Sequence, residues 1–266
     1  MVLENKKSVT KTKVAKGHLS GMLVFEFFST GMPMIAASAG ADFLMYDMEH
    51  TGIGFETLKN QMAACRGLDI APFVRVPTVE GNTIGQALDI GAHGVMIPMI
   101  ESADQARDLV KRAYYPPIGK RGTAFGVAHD DYSDRAPAAI MADANEKTTL
   151  IAMIETAEGL KNVDEIAAVA GIDVLWLGHF DLTSSMGIPG QLDHPDYLAA
   201  VSQIVSAANK NGKLAGFMAV NKAVAEEYWG HGFRMIAYGI DHILLKAELN
   251  SGINFINSLS NKNVEN

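Results

Sequence analysis

Four apolar, β-rich runs in this chain end on ionisable residues: Tyr46-Asp47-Met48-Glu49-His50, Val74-Arg75-Val76, Ile154-Glu155-Thr156 and Gly178-His179-Phe180-Asp181. A strand with only a structural task more often closes on apolar or turn residues. If Glu155 and Asp181 reach a common rim, they can share a hard divalent cation through oxygen, with positions left for water and substrate. No Cys or His cluster stands beside them, so Mg²⁺, Mn²⁺ or Co²⁺ suits the pair better than structural zinc. The competing reading has each carboxylate cap the helical pattern that follows it. Arg75 offers a planar cation suited to an enolate or carboxylate oxygen; alternatively it bridges a buried acid within the fold. His50, beside Asp47 and Glu49, could move protons near neutral pH if an acid steers it. Ordinary packing or surface exposure is the plainer alternative, and His93, His129, His179, His231 and His242 compete for the same role. Lysine is absent from every strand run: Lys213 precedes one and Lys246 lies in the last helix. That favours metal-assisted chemistry over a Schiff base.

Positioning these residues requires elements. The candidate strands are Met22–Phe28, Phe43–Asp47, Pro72–Val76, Val95–Met99, Leu150–Ile154, Val174–Gly178, Leu214–Ala219 and Met235–Tyr238. Helical patterns intervene, among them Phe55–Arg66, Ala103–Tyr114, Leu160–Ala170 and Pro195–Asn209. Alternation of this kind implies parallel βαβ units, and runs apolar almost throughout suit a sheet covered on both faces. Ser102 can cap a helix, Pro195 fits a first helical turn, and Gly212 can stop the helix before it. Eight strand–helix pairs predict an α/β fold, a single-domain (β/α)₈ TIM barrel whose C-terminal strand ends carry the chemistry. The stretch 115–147, rich in Pro and Gly, is expected to form an elaborate loop after the fourth strand.

The chain has 266 residues, a net charge of −8, a pI near 5.5 and a mean hydropathy of +0.09. These values fit a single large α/β domain and argue against nucleic acid as a partner, since no basic face is visible. No run approaches a membrane span. Residues 1–17 read as an N-terminal arm, lysine-rich but without the apolar core of a secretory signal; residues 18–266 read as the barrel domain. The single cysteine, Cys65, excludes an internal disulfide framework and points to a reducing, cytoplasmic setting. The glycines at 52–54 lack the spacing of a dinucleotide fingerprint.

Seven motifs in order resemble the HpcH/HpaI aldolases, the class II pyruvate aldolases, over roughly Gly21 to Leu245. They are Met45–His50, Phe73-Val74-Arg75, Leu88-Asp89-Ile90-Gly91, Val95–Met99, Tyr115–Gly122, Ile154-Glu155-Thr156 and Asp181–Gly187. The resemblance implies that Glu155 and Asp181 hold a divalent metal and that Arg75 stabilises a pyruvate-type enolate. It implies that His50 is the base, that Asp89 raises its basicity, and that Asp47 supports the site. It also implies substrate contacts from Arg75, Asp181 and the Phe180 backbone N–H, with a 2-oxo acid and an aldehyde as substrates. A homo-oligomer is implied too, a trimer of dimers with the C-terminal helix at a subunit interface. The chain departs from the family pattern at His179 (usually proline), Phe180 (often alanine) and Met153 (glutamine in some members). Met153 removes a polar contact, and His179 is expected to add a polar group beside the metal. The rival readings are a CoA-thioester lyase of the citryl- or malyl-CoA type and a non-catalytic metabolite-binding barrel.

Overall fold

The structure, a computed structural model, describes residues 17–262, without the side chains of the last three. The expected N-terminal arm therefore lies almost wholly outside the described residues. Eight parallel strands close into a barrel: β1 (Leu19–Val24), β2 (Phe43–Asp47), β3 (Ala71–Arg75), β4 (Gly94–Ile97), β5 (Thr149–Ile154), β6 (Val174–Leu177), β7 (Leu214–Ala219) and β8 (Met235–Ile240). Each pairs with its sequence neighbours, and β1 returns to β8. The helices around it are α1 (Met32–Ser38), α2 (Phe55–Cys65), α3 (Thr83–Asp89), α4 (Ala103–Ala113), α5 (Pro137–Lys147), α6 (Ala157–Lys161), α7 (Val163–Ala168), α8 (His179–Ser185), α9 (Pro195–Lys210), α10 (Lys222–His231) and α11 (Asp241–Lys262). None of the described helices is long and apolar enough to cross a membrane.

Two cores explain why the functional residues converge. Phe43, Met45, Ala71, Phe73, Ile151, Met153, Val174 and Trp176 fill the barrel interior. Leu44, Tyr46, Val74, Ala152, Ile154, Leu175 and Leu177 face outward into the layer shared with the helices. Successive strand residues alternate between these cores. Continuing the inward phase one step past Met45, Phe73, Met153 and Trp176 reaches Asp47, Arg75, Glu155 and Gly178. The same alternation that packs the interior thus delivers the polar residues to its mouth.

Three expectations about elements are corrected. The first strand is β1, which ends at Val24 rather than running to Phe28. The backbone N–H groups of Phe25, Glu26 and Phe27 donate to the Asp241 carboxylate instead of a neighbouring strand. The helix expected over Leu160–Ala170 is two short ones, α6 and α7. Thr156 caps the first, starting it early, and Asn162 breaks the run while its side chain donates to Glu101 O and Glu158 Oε1. The stretch 115–147 is no mere loop: it holds a 3₁₀ turn (Ala128–Asp130) and the Pro-initiated α5. It joins the end of α4 to the start of β5, so it lies on the face opposite the strand C-termini. The Ser102, Pro195 and Gly212 signals all appear at helix boundaries: Ser102 Oγ accepts from Gln105 N–H, Pro195 opens α9, and Gly212 has φ +65° just past its end.

Candidate active site

At the barrel mouth Arg75 is the hub. Its Nε donates to Asp47 Oδ1 at 2.6 Å, with both side chains buried. Its Nη1 lies 3.2 Å from Glu49 Oε2 and 3.9 Å from Met153 Sδ. Burial alone would lower the guanidinium's pKa, yet the Asp47 hydrogen bond and charge, with Glu49 and Glu155 behind it, raise it. Arg75 thus bridges a buried acid, and its Nη2 has no hydrogen-bond partner among the described residues. Asp47 also accepts from the backbone N–H groups of Glu49 and His50, fixing the turn that presents them. His50 is exposed, and its Nε2 stands 3.7 Å from Glu49 Oε2.

Glu155 sits just beyond β5, buried. Its Oε1 accepts from Met99 N–H at 2.7 Å, and Met99 takes a left-handed backbone (φ +55°) to offer that donor. Burial pushes its pKa up to about 7, against the Met99 N–H and Arg75, with the charges of Glu49 and Asp181 adding to the rise. Glu49 is likewise raised, first by burial, with Asp47 and Asp181 contributing against Arg75 and His50. Asp181 occupies the first turn of α8. Neither Glu155 nor Asp181 caps a helix: Thr156 caps α6, and α8 has no side-chain cap. The capping alternative falls.

The chemistry of the donor set fits a divalent cation. Asp47, Glu49, Glu155 and Asp181 bring four carboxylates into one field with a single guanidinium. Buried Glu49 Oε2 has no hydrogen-bond donor, its Arg75 contact being misaligned for one. Several carboxylates facing one guanidinium leave an excess of negative charge that is costly where it is buried, and a cation offsets that cost. No three His, Cys, Asp or Glu side chains among the described residues are close enough to enclose a metal by themselves. Two carboxylates on a divalent cation would leave positions for water and substrate.

Other expected residues fall elsewhere. Asp89 ends α3 at the opposite face of the barrel, where its Oδ1 lies 2.5 Å from Arg121 Nη2; the structure does not bring it to His50 of the same chain. His179 is buried, its ring 5.1 Å from Phe217 of β7 and 4.2 Å from Phe180. Burial lowers its pKa to about 4, against Asp181. It packs among aromatic rings. Phe180 is 58% exposed at the rim. Met153 lines the interior behind Arg75, its Sδ 3.9 Å from Nη1. Sequence reasoning missed Met99, Gly178 and the part of Glu49 as a direct partner of Arg75.

In (β/α)₈-barrel enzymes the active site sits at the C-terminal ends of the strands, the end at which this barrel gathers its carboxylates around Arg75. The sequence model of the HpcH/HpaI aldolase/citrate lyase family matches residues 22–247. A 2-keto-3-deoxy-L-rhamnonate aldolase of Klebsiella pneumoniae is 39% identical over 221 residues, 81% of this chain and 80% of the relative. A hydroxypyruvate/pyruvate aldolase of Roseobacter denitrificans is 34% identical, over 82% of this chain and 84% of its own. The crystal structure of an HpcH/HpaI aldolase from Desulfitobacterium hafniense superposes with a TM-score of 0.87 at 29% identity, covering 92% of this chain and 95% of that one. The chain belongs to the HpcH/HpaI aldolase/citrate lyase family. It is a carbon–carbon lyase of the metal-dependent aldolase type. The relatives favour neither the CoA-thioester lyase nor the non-catalytic barrel.

Proposed function

We propose that this enzyme makes and breaks the bond between the enolate of pyruvate, or a related 2-oxo acid, and an aldehyde. The observation that carries the reading is the convergence of Glu155 and Arg75 at the mouth, within the field of Asp181. Glu155 and Asp181 would hold Mg²⁺, Mn²⁺ or Co²⁺. When bound, such a cation withdraws charge from a chelated 2-oxo acid and acidifies its C3 hydrogens. Arg75, held by Asp47, keeps Nη2 for the developing enolate oxygen. The Phe180 backbone N–H and Asp181 orient the substrate. His50 takes the C3 proton, with Glu49 Oε2 3.7 Å from its Nε2 to orient the ring. Asp89 can serve a His50 only from a second copy of the chain, given its place at the opposite face. We accordingly propose a homo-oligomer, a trimer of dimers, working in the cytoplasm. α11 supports it by exposing Leu245, Leu249, Ile253, Phe255, Ile256 and Leu259; light scattering should give a mass well above the 28.5 kDa of one chain, and a monomer would refute it.

Exchange of pyruvate methyl protons with D₂O tests the chemistry directly. EDTA should abolish it and Mn²⁺ restore it; His50→Ala should slow it by about 10²-fold or more while pyruvate still binds. Exchange indifferent to EDTA, or a lysine adduct trapped by borohydride, would sink the reading.

A further inference from the structure

Beside the Arg75 centre a cavity of about 550 Å³ opens, within the range of small-molecule sites. It lies between the loop after β1, the loop after β2 and the first turn of α11. Among its walls are Phe25, Glu26, His50, Ile53, Thr57 and His242. Two of these tie it to the centre. The Phe25 ring has Arg75 Cζ 5.7 Å from its centroid and the His242 ring at 6.3 Å. His50 lines the cavity and also contacts Glu49, the partner of Arg75. A molecule seated here would therefore meet an enolate held at Arg75, with His50 at the junction.

Thr51, on the wall, is committed to the Asp47 carbonyl, but other polar groups of the cavity are not. The Glu26 carboxylate and the Thr57 hydroxyl make no hydrogen bond or ion pair among the described residues. His242 Nδ1 stands 3.4 Å from Asp241 Oδ1, and Asp241 is itself fixed by backbone N–H donors. That contact orients the imidazole and leaves Nε2 for a ligand. Phe25 and Ile53 supply apolar surface for a short carbon chain. A hydroxyl can donate to Glu26 and also bond an imidazole or a threonine; a carboxylate would meet Glu26, with Glu49 close behind, and be repelled.

We propose that this cavity seats the aldehyde, and that Glu26 and His242 make it select uncharged, hydroxylated aldehydes over carboxylated ones. The proposal rests on the aldolase reading above. Its test follows addition of pyruvate to glyceraldehyde, propanal and succinic semialdehyde by the Mn²⁺-loaded enzyme, with pyruvate proton exchange measured in parallel. His242→Leu and Thr57→Val should each lower kcat/KM for glyceraldehyde about 10-fold, the effect of one lost hydrogen bond, and leave propanal unchanged. Glu26→Gln should raise kcat/KM for succinic semialdehyde by about 10-fold through removal of the like charge. Proton exchange should stay at the wild-type rate in all three variants. The proposal is overturned if exchange is normal but the glyceraldehyde-to-propanal ratio does not move, or if Glu26→Gln gains nothing with the charged aldehyde. Absence of exchange in the wild-type enzyme would instead bring down the aldolase reading, and this proposal with it.

Discussion

At Gly178, a Cβ atom would stand 2.5 Å from Glu155 Oε2 and 2.7 Å from Met153 Cε. Gly178 continues the inward phase of β6, so its missing side chain is the space that Glu155 occupies. Gly178→Ala should therefore push Glu155 off the position set by Met99 N–H, while the rest of the barrel survives. Misplacement near 1 Å can cost about 10² in rate, so kcat should fall by that order with little change in melting temperature. A fully active Gly178→Ala would show that Glu155 can reach its work from elsewhere. None of this was legible in the sequence. Asp47, Arg75 and Glu155 could be picked out because they are ionisable residues at the ends of apolar, β-rich runs. Gly178, Met99 and the Glu49–Arg75 contact depend on which strands become neighbours, and that is visible only once the barrel closes. The packing of His179 was hidden for the same reason: its ring lies against Phe217 of β7.

The loop after β1 shows the same logic for an element. Apolar Phe25, Phe27 and Phe28 made the strand look longer than it is, since hydrophobic pattern cannot register a distant acceptor. Asp241, 214 to 216 residues away, takes the N–H groups of Phe25, Glu26 and Phe27, and that of His242 beside it. Burial pushes its pKa up, but these donors outweigh burial and hold it below the usual carboxylate range. The bend they enforce sets Phe25 against Arg75. Asp241→Ala leaves three loop N–H groups without an acceptor, at about 1–3 kcal/mol for each one kept from water. The variant should lose roughly 2–4 kcal/mol in chemical denaturation, on the expectation that the freed loop recovers some hydration. It should also raise the KM for aldehyde more than that for pyruvate. Unchanged stability and KM values would mean that the loop holds its shape without the carboxylate.

On the scale of the whole molecule, the two faces of the barrel divide the labour, as the eight-fold alternation of strands and helices already implied. The C-terminal face carries chemistry, while the opposite face is closed by the insert 115–147, whose side was not legible because its strand-like and helix-like patterns are both weak. His93, just before β4 on that closed face, titrates with it. Burial lowers its pKa to about 4; the Lys147 charge adds to this and Asp131 opposes it. Both charged residues belong to the insert, so the shift reports that the insert is in place. An unfolded imidazole titrates near 6.5. Between about pH 6.5 and 4 the unfolded chain therefore binds a proton that the folded chain refuses. Stability is complete above that window and declines as pH falls through it, by about 1.4 kcal/mol per unit. From pH 7.5 to 4.5 the wild type should thus lose about 2–3 kcal/mol more than His93→Gln, which has no imidazole to protonate. Denaturation midpoints at matched protein concentration check this, since assembly would otherwise shift them. Equal acid losses in the two proteins would mean that the insert leaves His93 open to protonation in the folded state.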